Sequence, residues 1–173
     1  WYDIDTLAPL EPRYVSSVDG GNLAASLICA AEAFREMDLP LSRRMIRLAE
    51  EMRFEALFDE GRMLFCIGMD VSEGRLSASR YDLLCSEARI LYYVAAMLGK
   101  TPCESWKRLA RVCAAVRSRA GKKLGCALVS WSGTMFEYLM PDLFLPVSGG
   151  TLLGNARDSV IALQIDEGSG APF

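Results

Sequence analysis

The chain has 173 residues, 51% of them hydrophobic, a net charge of −3 and no histidine. That length suffices for one domain with a real core, and the lack of histidine excludes Ser-His-Asp and Cys-His nucleophile systems within the chain and most zinc sites, leaving carboxylates as the acid-base chemistry. Six cysteines (Cys29, Cys66, Cys85, Cys103, Cys113 and Cys126) are widely spaced, mostly within apolar helical stretches, and never form C-x-x-C, so they read as reduced core thiols of a cytosolic protein rather than a disulfide framework.

The start at Trp1 shows no basic-apolar-cleavage pattern, so no signal peptide is expected. The longest apolar runs, such as residues 90–98, fall well short of a bilayer span, and a soluble segment is predicted. Residues 107–123 hold seven basic side chains (Lys107, Arg108, Arg111, Arg117, Arg119, Lys122 and Lys123) and no acid. Nucleic-acid binding is one reading of that stretch. The other is the solvated face of an amphipathic helix striped by Trp106, Leu109, Ala110, Cys113 and Val116.

Residues 1–21 read as loop, punctuated by Pro9, Pro12 and an Asp19-Gly20-Gly21 turn. Asn22 suits the N-cap of a helix reaching about Met37, with Leu23, Leu27, Ala31 and Phe34 on one face. Ser42 starts a second helix carrying Met45, Leu48, Ala49 and Met52, and the tight connection at residues 38–40 predicts antiparallel packing. Residues 54–76 read as a hairpin insertion with a turn at Asp59-Glu60-Gly61.

Residues 81–99 read as one helix, with Leu83, Ile90, Leu91, Val94, Met97 and Leu98 on one stripe and Glu87 inside that stripe. A carboxylate there is costly unless it is paired with an arginine of a neighbouring helix, protonated, or lining a wet binding cavity. Thr101-Pro102-Cys103-Glu104 carries the signature of a helix start, and that helix is predicted to run to about Arg117. Residues 119–125 then read as a basic loop, 128–132 as extended, 135–140 as a short helix stopped by Pro141, and 152–165 as a last amphipathic helix.

Three segments are unusual for packing material. Tyr14-Val-Ser-Ser-Val-Asp-Gly-Gly-Asn22 is a polar approach to a helix N-terminus, read otherwise as a helix-entry loop. Tyr81-Asp-Leu-Leu-Cys-Ser-Glu-Ala-Arg89 carries the inward carboxylate. Ser130-Trp-Ser-Gly-Thr-Met-Phe-Glu-Tyr-Leu-Met-Pro141 puts an indole, hydroxyls, Glu137 and Tyr138 around one bend. Aromatic faces flanked by hydroxyls and carboxylates suit sugars, although each segment taken singly is more often core than site.

Taken together and in this order, V-S-S-V-D-G-G-N-L-A, Y-D-L-L-C-S-E-A-R and S-W-S-G-T-M-F-E-Y-L-M-P resemble the glucoamylase-like region of cyclic β-1,2-glucan synthases. The resemblance covers residues 14–164, including Trp106 and the hairpin from Phe58-Asp59 to Ile67-Gly68. It implies an all-α fold with a small β-hairpin insertion, part of an (α/α)6 barrel. On this reading residues 1–173 are a single segment, the N-terminal or central part of one glucoamylase-like domain.

The implied activity is retaining transglycosylation that cuts β-1,2-glucan and closes it into a ring, using two glutamates about 5–5.5 Å apart. The family's nucleophile matches Glu87. Its acid/base lies in a Gly-Ile-Ser-Glu-Ser type segment expected just after Phe173, so the segment alone is expected to be inactive and to expose apolar surface. By the same resemblance Asp19, Asn22, Tyr81, Asp82, Arg89, Trp131, Ser132, Glu137 and Tyr138 are candidate substrate-binding residues, with Tyr81, Tyr138 and Arg89 as donors to Glu87. Residues 111–123 are longer and more basic than the family's connection there.

The alternatives are a β-glucan hydrolase on the same fold and a non-catalytic glucan-binding domain of a large synthase. No cofactor and no metal is expected, and Asp3-Ile-Asp5 is given no role. The expected partners are β-1,2-glucan and other domains of the same polypeptide, with no nucleic acid and no membrane contact by this segment. The expected location is the cytoplasm, compatible with an inner-membrane parent protein.

Overall fold

The computed structural model describes residues 2–169, which divide into two compact units. The first comprises residues 2–82 with Ile90–Leu109, and the second Leu83–Arg89 with residues 110–169. The fold is mixed rather than all-α: six α-helices alternate with seven short strands in three small antiparallel sheets among the described residues. This overturns the expected partial (α/α)6 barrel, because stretches predicted as loop (Tyr14–Ser16 and residues 123–125) or as helix (Leu83 and Cys113–Arg117) are held extended by tertiary pairing.

In the first unit β1 (Tyr14–Ser16) runs into α1 (Ser17–Phe34). The helix starts earlier than predicted because Ser16, not Asn22, is the N-cap, its hydroxyl accepting from the Asp19 amide at 3.3 Å. Asp19, Gly20 and Gly21 therefore lie inside the helix rather than in a turn. Gly21 is required by close packing, since a Cβ there would sit 2.6 Å from Leu91 Cβ.

Helix α2 (Leu39–Glu50) follows with Asp38 as its cap, and Ser42 Oγ donates to the Ala31 carbonyl of α1 at 2.7 Å. The predicted hairpin is present as β2 (Phe58–Asp59) against β3 (Leu64–Phe65). Further on, β4 (Gly68–Asp70) pairs with both β1 and β5 (Arg75–Leu76).

Helix α3 (Arg89–Met97) brings Tyr92 under this layer, edge-on to Phe65. The Tyr92 hydroxyl accepts from Phe65 N at 2.9 Å and donates to the Tyr81 carbonyl at 2.7 Å, and its burial raises the phenol pKa. The predicted helix over 81–99 thus starts only at Arg89. Leu84, Cys85, Ser86 and Ala88 are buried alongside Ile90 and Leu91, so burial there is not helically periodic. Helix α4 (Ser105–Arg108) is a single turn. Thr101 does not cap it, and its hydroxyl has no hydrogen-bond partner.

In the second unit Leu83 bridges Ala110 in parallel, Leu84 N donating to Ala110 O at 3.0 Å. The predicted helix through residues 109–117 is instead β6 (Cys113–Arg117), which forms a hairpin with β7 (Lys123–Leu128). A short apolar run fits either period, and here packing decides. Val116, Ala127 and Leu128 are buried, and α6 (Leu152–Gly168) packs on β7. That contact is close enough that a Cβ on Gly125 would meet Ser159 Oγ at 2.0 Å. The basic side chains Arg117, Arg119, Lys122 and Lys123 therefore stand around a hairpin turn, not along a helix face. Helix α5 (Met135–Leu139) and a 3-10 turn (Met140–Leu143) complete this unit. No helix among the described residues is long and apolar enough to cross a membrane.

Candidate functional site

The second unit gathers Glu87, Arg89, Trp131, Ser132, Glu137 and Tyr138. Its best-defined feature is a buried carboxylate. Glu137 is 7% exposed, and Oε2 accepts from Ser132 Oγ at 2.5 Å, Ser132 N at 3.0 Å and Ser130 Oγ at 3.0 Å, while Oε1 accepts from Trp131 N at 3.2 Å. Thr134 N also reaches Oε2 at 3.4 Å, and Thr134 and Glu137 form the capping box of α5. Burial alone would raise this carboxyl's pKa. The Ser132, Ser130 and Thr134 donors outweigh burial and hold it below the usual value. Glu137 is thus an ionised anchor whose oxygens are engaged by its own loop. The loop in turn presents Trp131, 63% exposed, and the Ser132 hydroxyl at the surface.

Arg89 is 2% exposed at the start of α3, where it closes the other end of α5. Its guanidinium donates to the Glu137 carbonyl at 3.3 Å, the Tyr138 carbonyl at 3.1 Å and Asp142 Oδ1 at 2.6 Å. Helix C-terminal carbonyls lack intrahelical partners, so a cation there is well placed. Asp142 also lies 3.7 Å from Arg157. Tyr138 is buried and donates to the Leu128 carbonyl at 2.7 Å, tying α5 to β7. Cys85, buried beside Arg89, has its thiol pushed up to about 12 by desolvation, so it stays protonated and inert at neutral pH.

Glu87 sits in the turn two residues before α3 and is half-buried, flanked by the buried Ser86, Ala88 and Arg89. This corrects the mid-helix placement. The residue lies just ahead of the N-terminus of α3, the end where a helix dipole favours negative charge, and the Ala88 and Arg89 amides there donate to Ser86. A half-open groove of about 360 Å3 lies between β6, β7, the 129–135 loop and α6, and Ala127, Leu128, Ser130, Tyr138, Val160 and Gln164 line part of it.

In the first unit Asp19 is exposed in the first turn of α1, and Asn22 is half-buried one turn on. Tyr81 and Asp82 precede the crossing into the second unit. Asn22 Oδ1 and Asp82 Oδ1 are both buried without a hydrogen-bond partner. The first unit also has an apolar surface groove of about 620 Å3 bounded by Tyr92, Tyr93, Met97 and Trp106.

Along 172 aligned residues the chain is 40% identical to the cyclic β-(1,2)-glucan synthase NdvB of Rhizobium meliloti (strain 1021). The chain is related to that synthase. The alignment covers 91% of this chain but 6% of the synthase, so the chain spans a small fraction of the relative's length. No family model matches the chain.

Two parts of this cluster escaped the sequence reading. Asp142 and Arg157 complete the Arg89 network from 53 and 68 positions away, a separation that no local pattern reveals. The role of Glu137 was legible, since Thr134-Met-Phe-Glu137 is itself a capping-box sequence.

Proposed function

We propose that this chain is a carbohydrate-active part of a β-1,2-glucan synthase and works by retaining transglycosylation with Glu87 as nucleophile. The observation that carries the reading is the 40% identity to the Rhizobium meliloti synthase across 91% of the chain. The half-buried position of Glu87 before α3 supports it, because a nucleophilic carboxylate must be both ionised and reachable.

In the first displacement the Glu87 carboxylate attacks the anomeric carbon of a glucosyl unit, while an acid carboxyl protonates the departing 2-oxygen. In the second, that same group removes a proton from an acceptor 2-hydroxyl, which attacks the glucosyl ester, forms the new bond and releases Glu87. Acceptance by another chain gives transfer, by the donor's own far end a ring, and by water hydrolysis.

Trp131 offers an exposed indole face to a glucose ring, with the Ser132 hydroxyl beside it on a loop stiffened by Glu137. Arg89, Glu137 and Tyr138 act by holding α5 and that loop. Asp19, Asn22, Tyr81 and Asp82 are assigned to glucan hydroxyls. The orphaned oxygens of Asn22 and Asp82 support this, since a bound hydroxyl would satisfy such an acceptor.

The test is Glu87→Gln in the longer polypeptide that carries the acid/base, assayed on linear β-1,2-glucan. Turnover is expected to fall at least about a thousandfold, with glucan binding retained. Undiminished turnover would refute the nucleophile. Glucan binding without turnover in the unsubstituted protein would favour a binding domain, and reducing ends in place of rings a hydrolase.

A further inference from the structure

The β6–β7 hairpin carries two of the six cysteines on one face. Cys113 stands opposite Leu128 and Cys126 opposite Ala115, so the two cysteines are diagonal neighbours across the ladder, and both are exposed, as are Cys29 and Cys103, against the expected core thiols, which only Cys66 and Cys85 match. Cys113 Sγ donates to the Arg111 carbonyl at 3.7 Å, and desolvation together with the neighbouring Cys126 side chain raises the Cys113 thiol pKa.

Diagonal positions in an antiparallel pair lie about 7–8 Å apart at Cα. A disulfide requires no more than about 6.8 Å, so a direct S–S bond would force the strands to slide. One atom bridging the sulfurs needs no such movement. We infer that Cys113 and Cys126 form a two-thiolate site for a single soft, thiophilic monovalent cation of the Cu(I) class, bound on the outer face of this hairpin. Thiolate sulfur selects soft ions over hard ones, and among the described residues no cluster of three or more Cys, Asp or Glu ligands competes as a higher-coordinate site. On binding, each thiol gives up its proton to solvent and each sulfur donates one electron pair to the cation, with no change of oxidation state.

The experiment titrates the protein anaerobically with Cu(I) against a chromophoric Cu(I) chelator. One ion per chain is expected to resist the chelator, and Cys113→Ser or Cys126→Ser is expected to weaken retention at least about a hundredfold, the loss of one of two chelating arms. Cys29→Ser with Cys103→Ser, which removes the other exposed and isolated thiols, should change nothing. Far-ultraviolet circular dichroism of each variant checks that the hairpin is kept, and Cys113→Ala and Cys126→Ala provide a second pair should a serine variant misfold. Equal retention by either single variant would overturn the site. Ready closure of a Cys113–Cys126 disulfide in oxidised glutathione, without loss of the native circular dichroism, would also overturn it, since it would show that the sulfurs reach bonding distance unaided.

Discussion

Replacing Glu137 with glutamine keeps the side chain's shape but exchanges one acceptor oxygen for an NH2 donor. The two serine hydroxyls beside it can rotate and accept from that group. The backbone amides of Trp131 and Ser132 cannot, and they bond to different oxygens of the carboxylate, so one of them must face a donor. Losing a hydrogen bond to a charged group costs about 1.5–3 kcal/mol, and stranding a part-buried amide adds up to about 1 kcal/mol. Glu137→Gln is therefore expected to destabilise the chain by about 2–4 kcal/mol at pH 7. The pH dependence has a fixed sign. The folded carboxyl titrates below its ordinary value of 4.5, so its contribution is complete above that value and is lost as pH falls through the folded pKa. Urea unfolding at pH 7 and at pH 3 reads both quantities. A difference below about 1 kcal/mol at pH 7, or an equal difference at both pH values, would refute the reasoning, because either means the carboxylate is not held as a charged acceptor.

Arg89→Met should cost about 3–5 kcal/mol by leaving two α5 carbonyls unpaired and removing the 2.6 Å hydrogen bond to Asp142, which keeps its 3.7 Å contact with Arg157, measured by the same unfolding. Gly21→Ala should cost about 1–3 kcal/mol, since the new methyl overlaps Leu91, and thermal melting checks it. Cys85 should resist alkylation at neutral pH until urea unfolds the protein, whereas Cys29 and Cys103 should react at once, read by peptide mass mapping. Trp131→Ala should change stability by less than about 0.5 kcal/mol because the indole is largely exposed, yet weaken glucan binding severalfold by calorimetry.

Much of the helical content was legible because its signals are local. The last helix from Leu152 and the Asp59-Glu60-Gly61 turn of the β2–β3 hairpin were read where they stand, whereas α2 begins at Leu39 on an Asp38 cap rather than at Ser42. What failed was non-local. The stripe through Leu83, Glu87 and Leu91 is helical by count, yet Leu83 and Leu84 are held extended by Ala110, and no window of sequence around Glu87 contains that partner. The Trp106, Leu109 and Val116 spacing likewise fitted a helix until α6 packed on β7 and made the stretch a hairpin. The all-α expectation came from the resemblance and fell with these pairings. Within the candidate site the grouping of Ser130, Trp131, Ser132 and Glu137 was visible because a loop and the first turn of the helix that follows it hold them all. The locking of α5 by Arg89 and Asp142 was not, since it depends on how the chain returns.

The central claim is that Glu87 becomes covalently bonded to glucose, and the most direct measurement is to trap that ester. The longer polypeptide is incubated with an activated, fluorinated glucosyl donor that forms the intermediate faster than it releases it, then digested and mapped by mass spectrometry. The prediction is one glucosyl adduct on the peptide containing Glu87, absent from Glu87→Gln. An adduct on a different carboxylate, or the same adduct in Glu87→Gln, would contradict it.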